Sequence, residues 1–163
     1  MADAKFNDDE REPVIRRIEA LKNIKLTPVG TRKIFLKGSD DLYYCVVGGR
    51  GDWHAIPKQV MDQEQKDRGS VHLVIARWLR TKIEIYEGLL RPLFDSREVL
   101  SSTKQGGVQF DLKVPTDGVL SIAQVSGARF PKIDEFDAPL ISQWKTLSQK
   151  QQHELLAKAG LLK

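Results

Sequence analysis

Residues Ser70 to Leu90, SVHLVIARWLRTKIEIYEGLL, form the longest apolar-rich run of the chain, and their reading decides the fold. Val71, Leu73 and Ile75, then Ile83 and Ile85, recur with period two, and Val74, Ala76 and Tyr86 fill the opposite face. Branched and planar side chains pack well on a pleated, half-buried surface, so the run predicts two strands, roughly 71–78 and 82–87. A helix competes: Val71, Val74, Ile75, Trp78 and Leu79 also fit an amphipathic helical spacing, with Ser70 as its cap. Strand is favoured because Val71, Val74 and Ile75 would stiffen a helix at χ1, and because Lys82 to Tyr86 alternates cleanly. Between Trp78 and Lys82 there is no Gly, Asn, Asp or Pro to close a hairpin, so a bulge or bend at Leu79–Thr81 is the expected substitute.

Upstream, Pro13 sits in the first turn of an expected helix over about 9–24, with Asp8 or Asp9 as cap. Val14, Ile15, Ile18, Leu21 and Ile24 share its apolar stripe, while Arg16, Arg17, Glu19 and Lys22 are expected in water. Residues 1–7 are expected to form a frayed, disordered tail. KIFLK over 33–37 and LYYCVV over 42–47 read as strands joined by Gly38-Ser39-Asp40-Asp41. The second is apolar enough to be central, and Cys45 within it reads as a small core residue. Gly48 to Asp52 is a glycine-rich loop; its Arg50-Gly51-Asp52 is read as a turn, and it lacks the spacing of a phosphate-binding P-loop. Trp53–Ile56 is a brief strand, and 58–68 a short polar helix anchored by Val60 and Met61 and closed by Gly69.

Downstream, Pro92 argues against a helix through Leu89–Arg91, and Ser101 to Gly107 reads as a mobile connector. Val108, Phe110, Leu112 and Val114 share one face of a strand, Pro115-Thr116-Asp117-Gly118 is a turn, and Val119 to Val125 is the returning strand of a hairpin. Ser126 to Asp137 reads as irregular. A helix capped by Asp137 would bury Leu140, Ile141, Trp144 and Leu147. Ser148 and Gln151 then form a capping box for a last helix over about 149–159, with Leu155, Leu156 and Ala159 inward.

The 163 residues, 40% apolar, bound a single domain over 1–163 with a substantial core. No apolar run reaches the ~18 residues of a membrane span, and the acidic, polar start has no signal-peptide core. The single cysteine points to a reducing, cytoplasmic setting. The net charge of +4 is uneven: Asp3, Asp8, Asp9, Glu10 and Glu12 crowd the start, leaving the remainder more basic. A nucleic-acid partner is therefore the leading expectation.

Metal chemistry finds little support, since the three histidines and the cysteine show no ligand spacing and no metal site is predicted. No GxSxG nucleophile elbow occurs. The expected binding set is basic and aromatic: Arg50, Lys58, Arg77, Trp78, Arg80 and Lys82, where cations would neutralise phosphates and the ring would stack on a base. An enzymatic alternative is Asp95 with Asp111-Leu112-Lys113, which resembles the (D/E)xK half of restriction-type nucleases. That resemblance covers about twenty residues and implies a catalytic trio around magnesium, the lysine steadying the developing charge. The chain departs from the family in having Phe94 where proline is usual, and a tight hairpin where a helix normally follows. A non-catalytic protein-interaction module is the third reading. The fold expected is α+β: a mostly antiparallel sheet of about five to seven strands, with a partly closed barrel as its variant, covered by the N-terminal helix and a C-terminal helix pair.

Overall fold

The computed structural model describes residues 6–79, 82–137 and 148–158. The first helix, α1 (Asp8–Lys22), begins one residue before the expected start because Asn7 is its cap. Asn7 Oδ1 accepts from the Glu10 amide, and Glu10 reaches back to the Asn7 amide, closing a capping box. Phe6 is buried, so the expected tail does not extend to residues 6 and 7. Val14, Ile15 and Ile18 face inward as predicted, whereas Leu21 is exposed. Arg17, expected in water, is buried: it pairs with Asp134 at 2.6 Å and lies 4.6 Å over the Phe136 ring.

Among the described residues, ten strands follow the expected run closely in places and depart from it in others. They are β1 (Leu26–Pro28), β2 (Phe35–Gly38), β3 (Tyr43–Gly49), β4 (Trp53–Ile56), β5 (Val71–Trp78), β6 (Lys82–Leu89), β7 (Ser101–Ser102), β8 (Val108–Asp111), β9 (Val119–Ile122) and β10 (Val125–Asp137). The described helices after α1 are α2 (Lys58–Lys66), α3 (Arg91–Asp95) and α4 (Gln149–Lys158). The deciding stretch is therefore two antiparallel strands, β5 and β6, paired from His72↔Leu89 to Trp78↔Ile83. No helix runs through Leu89–Arg91, as Pro92 led one to expect: β6 ends at Leu89 and α3 starts only at Arg91, with Pro92 in its first turn.

Seven strands form a mixed, open sheet in the order β1-β2-β3-β5-β6-β10-β9, and β4-β8-β7 form a second, three-stranded sheet. The sheet does not close, so the partly closed barrel is not the architecture. Pairing is antiparallel throughout except for β3 and β5, which run parallel from Tyr43↔Val71 to Gly49↔Arg77. Parallel neighbours need a crossover, and β4 and α2 supply it. The largest correction lies at Ser126 to Asp137. This stretch is the end of a thirteen-residue strand that pairs with β9 at its start and with β6 at its end, with a bulge between Lys132 and Asp134. The tight turn at Asp117-Gly118 is present, both residues having positive φ, and the Leu112↔Ile122 and Thr116↔Val119 bridges join the arms of the expected hairpin, although β8 also joins β4 and β7 in the small sheet while β9 joins β10. Within 101–107, β7 pairs with β8, so this connector is partly strand.

Strand alternation splits the interior in two. Leu73 and Ile75 with Tyr86 belong to one core, under α2, α3 and the small sheet; Val74, Ala76, Ile83 and Ile85 belong to the other, under α1. Glu64 of α2, with no exposed surface, ties the first layer together by accepting from the Gly69 and Val71 amides and pairing with Arg91 at 3.1 Å. Cys45 is fully buried and its thiol is pushed up to about 12 by burial, as suits an inert core residue. Ser148 and Gln151 close the predicted capping box of α4. The expected helix over 138–147 and the side chains of Leu155, Leu156 and Ala159 lie outside the described residues. No described helix is long and apolar enough to cross a membrane.

Candidate ligand cleft at the end of the parallel strands

The glycine-rich segment Gly48 to Gly51 ends β3 beside the end of β5. Gly48 is demanded by contact: a Cβ there would stand 2.3 Å from the Ala76 carbonyl oxygen on β5. Gly49 holds φ 135°, a conformation side chains rarely adopt. The strand then turns sharply into β4, leaving a cleft of about 340 Å3 between the start of α1, the end of β3 and β4. Carboxyl ends of parallel strands are where open sheets commonly present binding crevices.

Two polar side chains in the cleft wall, Arg11 and His54, are buried. Arg11 is 4% exposed. Its Nε donates to the Val46 carbonyl at 2.9 Å and its Nη1 meets Asp8 at 2.9 Å. Burial pulls the Arg11 guanidinium below the usual arginine range, opposed by the bond to Asp8. His54 is 8% exposed, and its Nε2 has no hydrogen-bond partner among the described residues. Burial lowers its pKa, while a bond to the Gly51 backbone and the nearby charges of Asp52 and Asp111 oppose the shift. Its Nε2 is thus enclosed within the protein rather than open to solvent. Trp53, at the mouth, is 56% exposed.

The predicted basic set divides across the sheet. Arg50 is exposed, and its guanidinium stacks 3.6 Å from the Trp78 ring. Trp78 packs against the α1-side core. Arg77, one residue earlier, belongs to the opposite face and pairs with Glu84 at 3.5 Å. Lys82 pairs with Glu135 at 3.3 Å, and Lys132 bonds both Glu84 and Glu135. Glu84 meets a burial penalty, but bonds from Tyr86 and Lys132 outweigh it and hold its carboxyl below the usual range. These cations are therefore locally neutralised. Lys58 pairs with Asp62 on α2 at 2.8 Å, and Arg80 lies outside the described residues.

The nuclease-like residues Asp95, Asp111 and Lys113 lie on α3, at the end of β8 and just beyond it. Asp95 on α3 pairs with Arg91 at 2.9 Å. Asp111, at the end of β8, exchanges two hydrogen bonds with Gln124. Lys113 is exposed beyond the strand end. Among the described residues no group of three or more His, Cys, Asp or Glu is arranged to hold a metal ion.

A second cleft, of about 420 Å3, lies between α1 and β1. Its charged side chains are mutually satisfied, Glu12 pairing with Arg16 at 2.9 Å and with Lys33 at 2.7 Å, so it offers less to a ligand. Sequence reasoning singled out Arg50 and Trp78 but missed Arg11, Trp53 and His54. The sequence signal for Trp53 and His54 was proximity to the glycine-rich loop, and nothing in the local pattern of α1 singled out Arg11. Compared with known proteins, the chain matches no family model, no curated protein and no solved structure.

Proposed function

We propose that this chain is a nucleic-acid-binding domain that takes a single strand across the end of the β3–β5 pair. The observation that carries the reading is Arg50 stacked on Trp78 beside a glycine-rich turn, with Trp53 exposed at the same end. An unstacked base has a π-face that suits Trp53, and glycines allow a phosphate close to the backbone. Duplex binding is less favoured, because Arg77, Lys82 and Lys132 are already matched by Glu84 and Glu135.

That neutralisation sets the energetics. With two or three phosphates contacted, the slope of log K against log salt would be only about −1.4 to −2, at about −0.7 per phosphate for a single strand. Stacking would carry much of the affinity, about 1–3 kcal/mol per base. Fluorescence anisotropy with labelled single-stranded DNA and RNA, from low to moderate salt, tests this. The expected result is a shallow salt slope and a weakening of about 5- to 150-fold in Trp53→Ala, the equivalent of one stacked base. Absence of binding to either polymer at low salt would dismiss the reading.

A further inference from the structure

We propose that His72 is the nucleophile of an acyl-transfer site at the start of β5, one that takes neutral esters of short apolar acids. The site lies at the other end of β5 from the surface assigned to the nucleic-acid strand, and it uses side chains that reading leaves idle. Separate segments bring it together. His72 of β5 and Glu87 of β6 meet on the face of the sheet that α1 covers, Nδ1 to Oε2 at 2.7 Å. Lys22, in the last turn of α1, reaches the same Oε2 at 2.8 Å. The Tyr44 ring of β3 stands 5.4 Å from the imidazole, and its hydroxyl donates to Asp40, in the loop before β3, at 2.6 Å.

The bond to Glu87 fixes the tautomer. Hydrogen bonds from His72 and Lys22 outweigh burial and hold the Glu87 carboxyl below its usual range, so at neutral pH it is ionised and can only accept. Nδ1 therefore carries a proton, and the neutral ring has its lone pair on Nε2. Unlike His54, whose Nε2 is enclosed, the His72 side chain is 21% exposed, and among the described residues its Nε2 is neither bonded nor enclosed. A carboxylate behind an imidazole orients the ring and stabilises the positive charge that forms on it. Glu87 is buried and held by two donors, so it keeps that place. Nε2 bonds no serine, threonine or cysteine, so the ring itself is the attacking group.

Charge and surface select the substrate class. Glu87 and Asp40 outnumber Lys22, which disfavours an anionic phosphoryl donor. A neutral ester instead gains negative charge on its carbonyl oxygen only as the new bond forms, and the half-buried Lys22 ammonium is the cation at hand to meet it. Leu89 is the cross-strand partner of His72, shares its face and is 47% exposed, an apolar surface for the acyl group. In the step itself, Nε2 attacks the carbonyl carbon, the carbon–oxygen bond breaks, and the alcohol leaves as its anion. The acylimidazolium so formed keeps its Nδ1 proton and is balanced by Glu87. Water then attacks the acyl carbon and the carbon–nitrogen bond breaks back onto Nε2. The carboxylic acid is released with one proton, which the alcohol's anion takes up.

The test uses the full chain. Diethyl pyrocarbonate, an acylating probe, is applied to the unaltered protein and the labelled sites are read by peptide mass mapping. His72 is expected to react at least about tenfold faster than the exposed His153 of α4, with the enclosed His54 slowest. Hydrolysis of p-nitrophenyl acetate and butyrate is then compared with that by free imidazole at equal concentration. The expected rate is at least about tenfold above imidazole and is lost in His72→Gln. Glu87→Gln, which removes a positioning group, is expected to lower kcat at least about tenfold with KM unchanged. Leu89→Ser is expected to slow the butyrate more than the acetate. Oligonucleotide binding is expected to be the same in His72→Gln as in the parent, so this site and the strand-binding reading fail separately. Labelling of His153 as fast as His72, no excess over imidazole, or hydrolysis unchanged in His72→Gln overturns the inference. Labelling needs no substitution, so it decides even where a variant fails to fold.

Discussion

The side chains that deserve mutation first are charged ones that look superficial in sequence. Glu87 is a clear case. It sits in an alternating strand, yet it is 7% exposed and its Oε2 meets His72 Nδ1 at 2.7 Å and Lys22 Nζ at 2.8 Å. Burial alone would raise its pKa, but hydrogen bonds from His72 and Lys22 outweigh this and the folded value falls below the ordinary 4.5. A carboxylate depressed by folding stabilises the native state above its unfolded pKa, and that contribution is lost as pH falls through the folded value. Glu87→Gln should therefore be less stable than the parent at pH 7, with the gap closing as the pH drops well below 4.5. Urea midpoints at neutral and acid pH check this; a gap that stays constant across the range would mean the charge of Glu87 is not what holds these groups together. Arg11, Arg17 and Glu87 share one lesson: alternation or helical spacing assigns a face, but a charged residue on an inward face is buried when a partner from a distant segment answers it. For Arg17 that partner, Asp134, lies 117 residues away.

Among elements, β10 shows how a strand hides. Its run of Ser126, Gly127, Ala128, Arg129 and Pro131 lacks the β-branched residues that mark a strand. What holds it is pairing on both sides and a few deep anchors, Ala128, Phe130 and Phe136. Its closeness to β6 depends on Gly88. A Cβ there would lie 2.6 Å from the Arg129 carbonyl oxygen and 2.7 Å from the Phe130 ring, and neither backbone nor a buried ring can retreat far. Gly88→Ala should destabilise the fold by about 1–3 kcal/mol, the usual cost of overpacking. Gly30→Ala, where nothing lies within 4 Å, is the matched control and should be close to neutral. Equal urea midpoints for the two variants would refute the close-packing account. The β5–β6 pair, in contrast, was legible because Val, Ile and Tyr alternate through it, and α1 was legible because Val14, Ile15 and Ile18 repeat at helical spacing ahead of an acidic, capped first turn.

At the scale of the whole molecule, the seven-stranded sheet must be covered on both faces, and α1 covers the face lined by Val46, Val74, Ile83 and Ile85. Burial of Val14, Ile15 and Ile18 contributes about 1.5–3 kcal/mol each, comparable in sum with the net stability of about 5–15 kcal/mol typical of a domain. A chain beginning after Asn23 is therefore expected to lose its cooperative thermal transition, followed by near-ultraviolet circular dichroism; a retained sharp transition would show that the sheet stands without this cover. The sequence by itself determined the α+β class, the placement of the central strands, α1, the Asp117-Gly118 turn and the capping box of α4, because each depends on periodicity or turn chemistry within a dozen residues. Only the tertiary structure decided that β3 and β5 run parallel, that the sheet stays open, that Arg77 and Trp78 part to opposite faces, and that Arg11 and His54 meet across one cleft. Those outcomes depend on which segments pair through space, and strand order and partner charges are set by packing between residues that local pattern cannot connect.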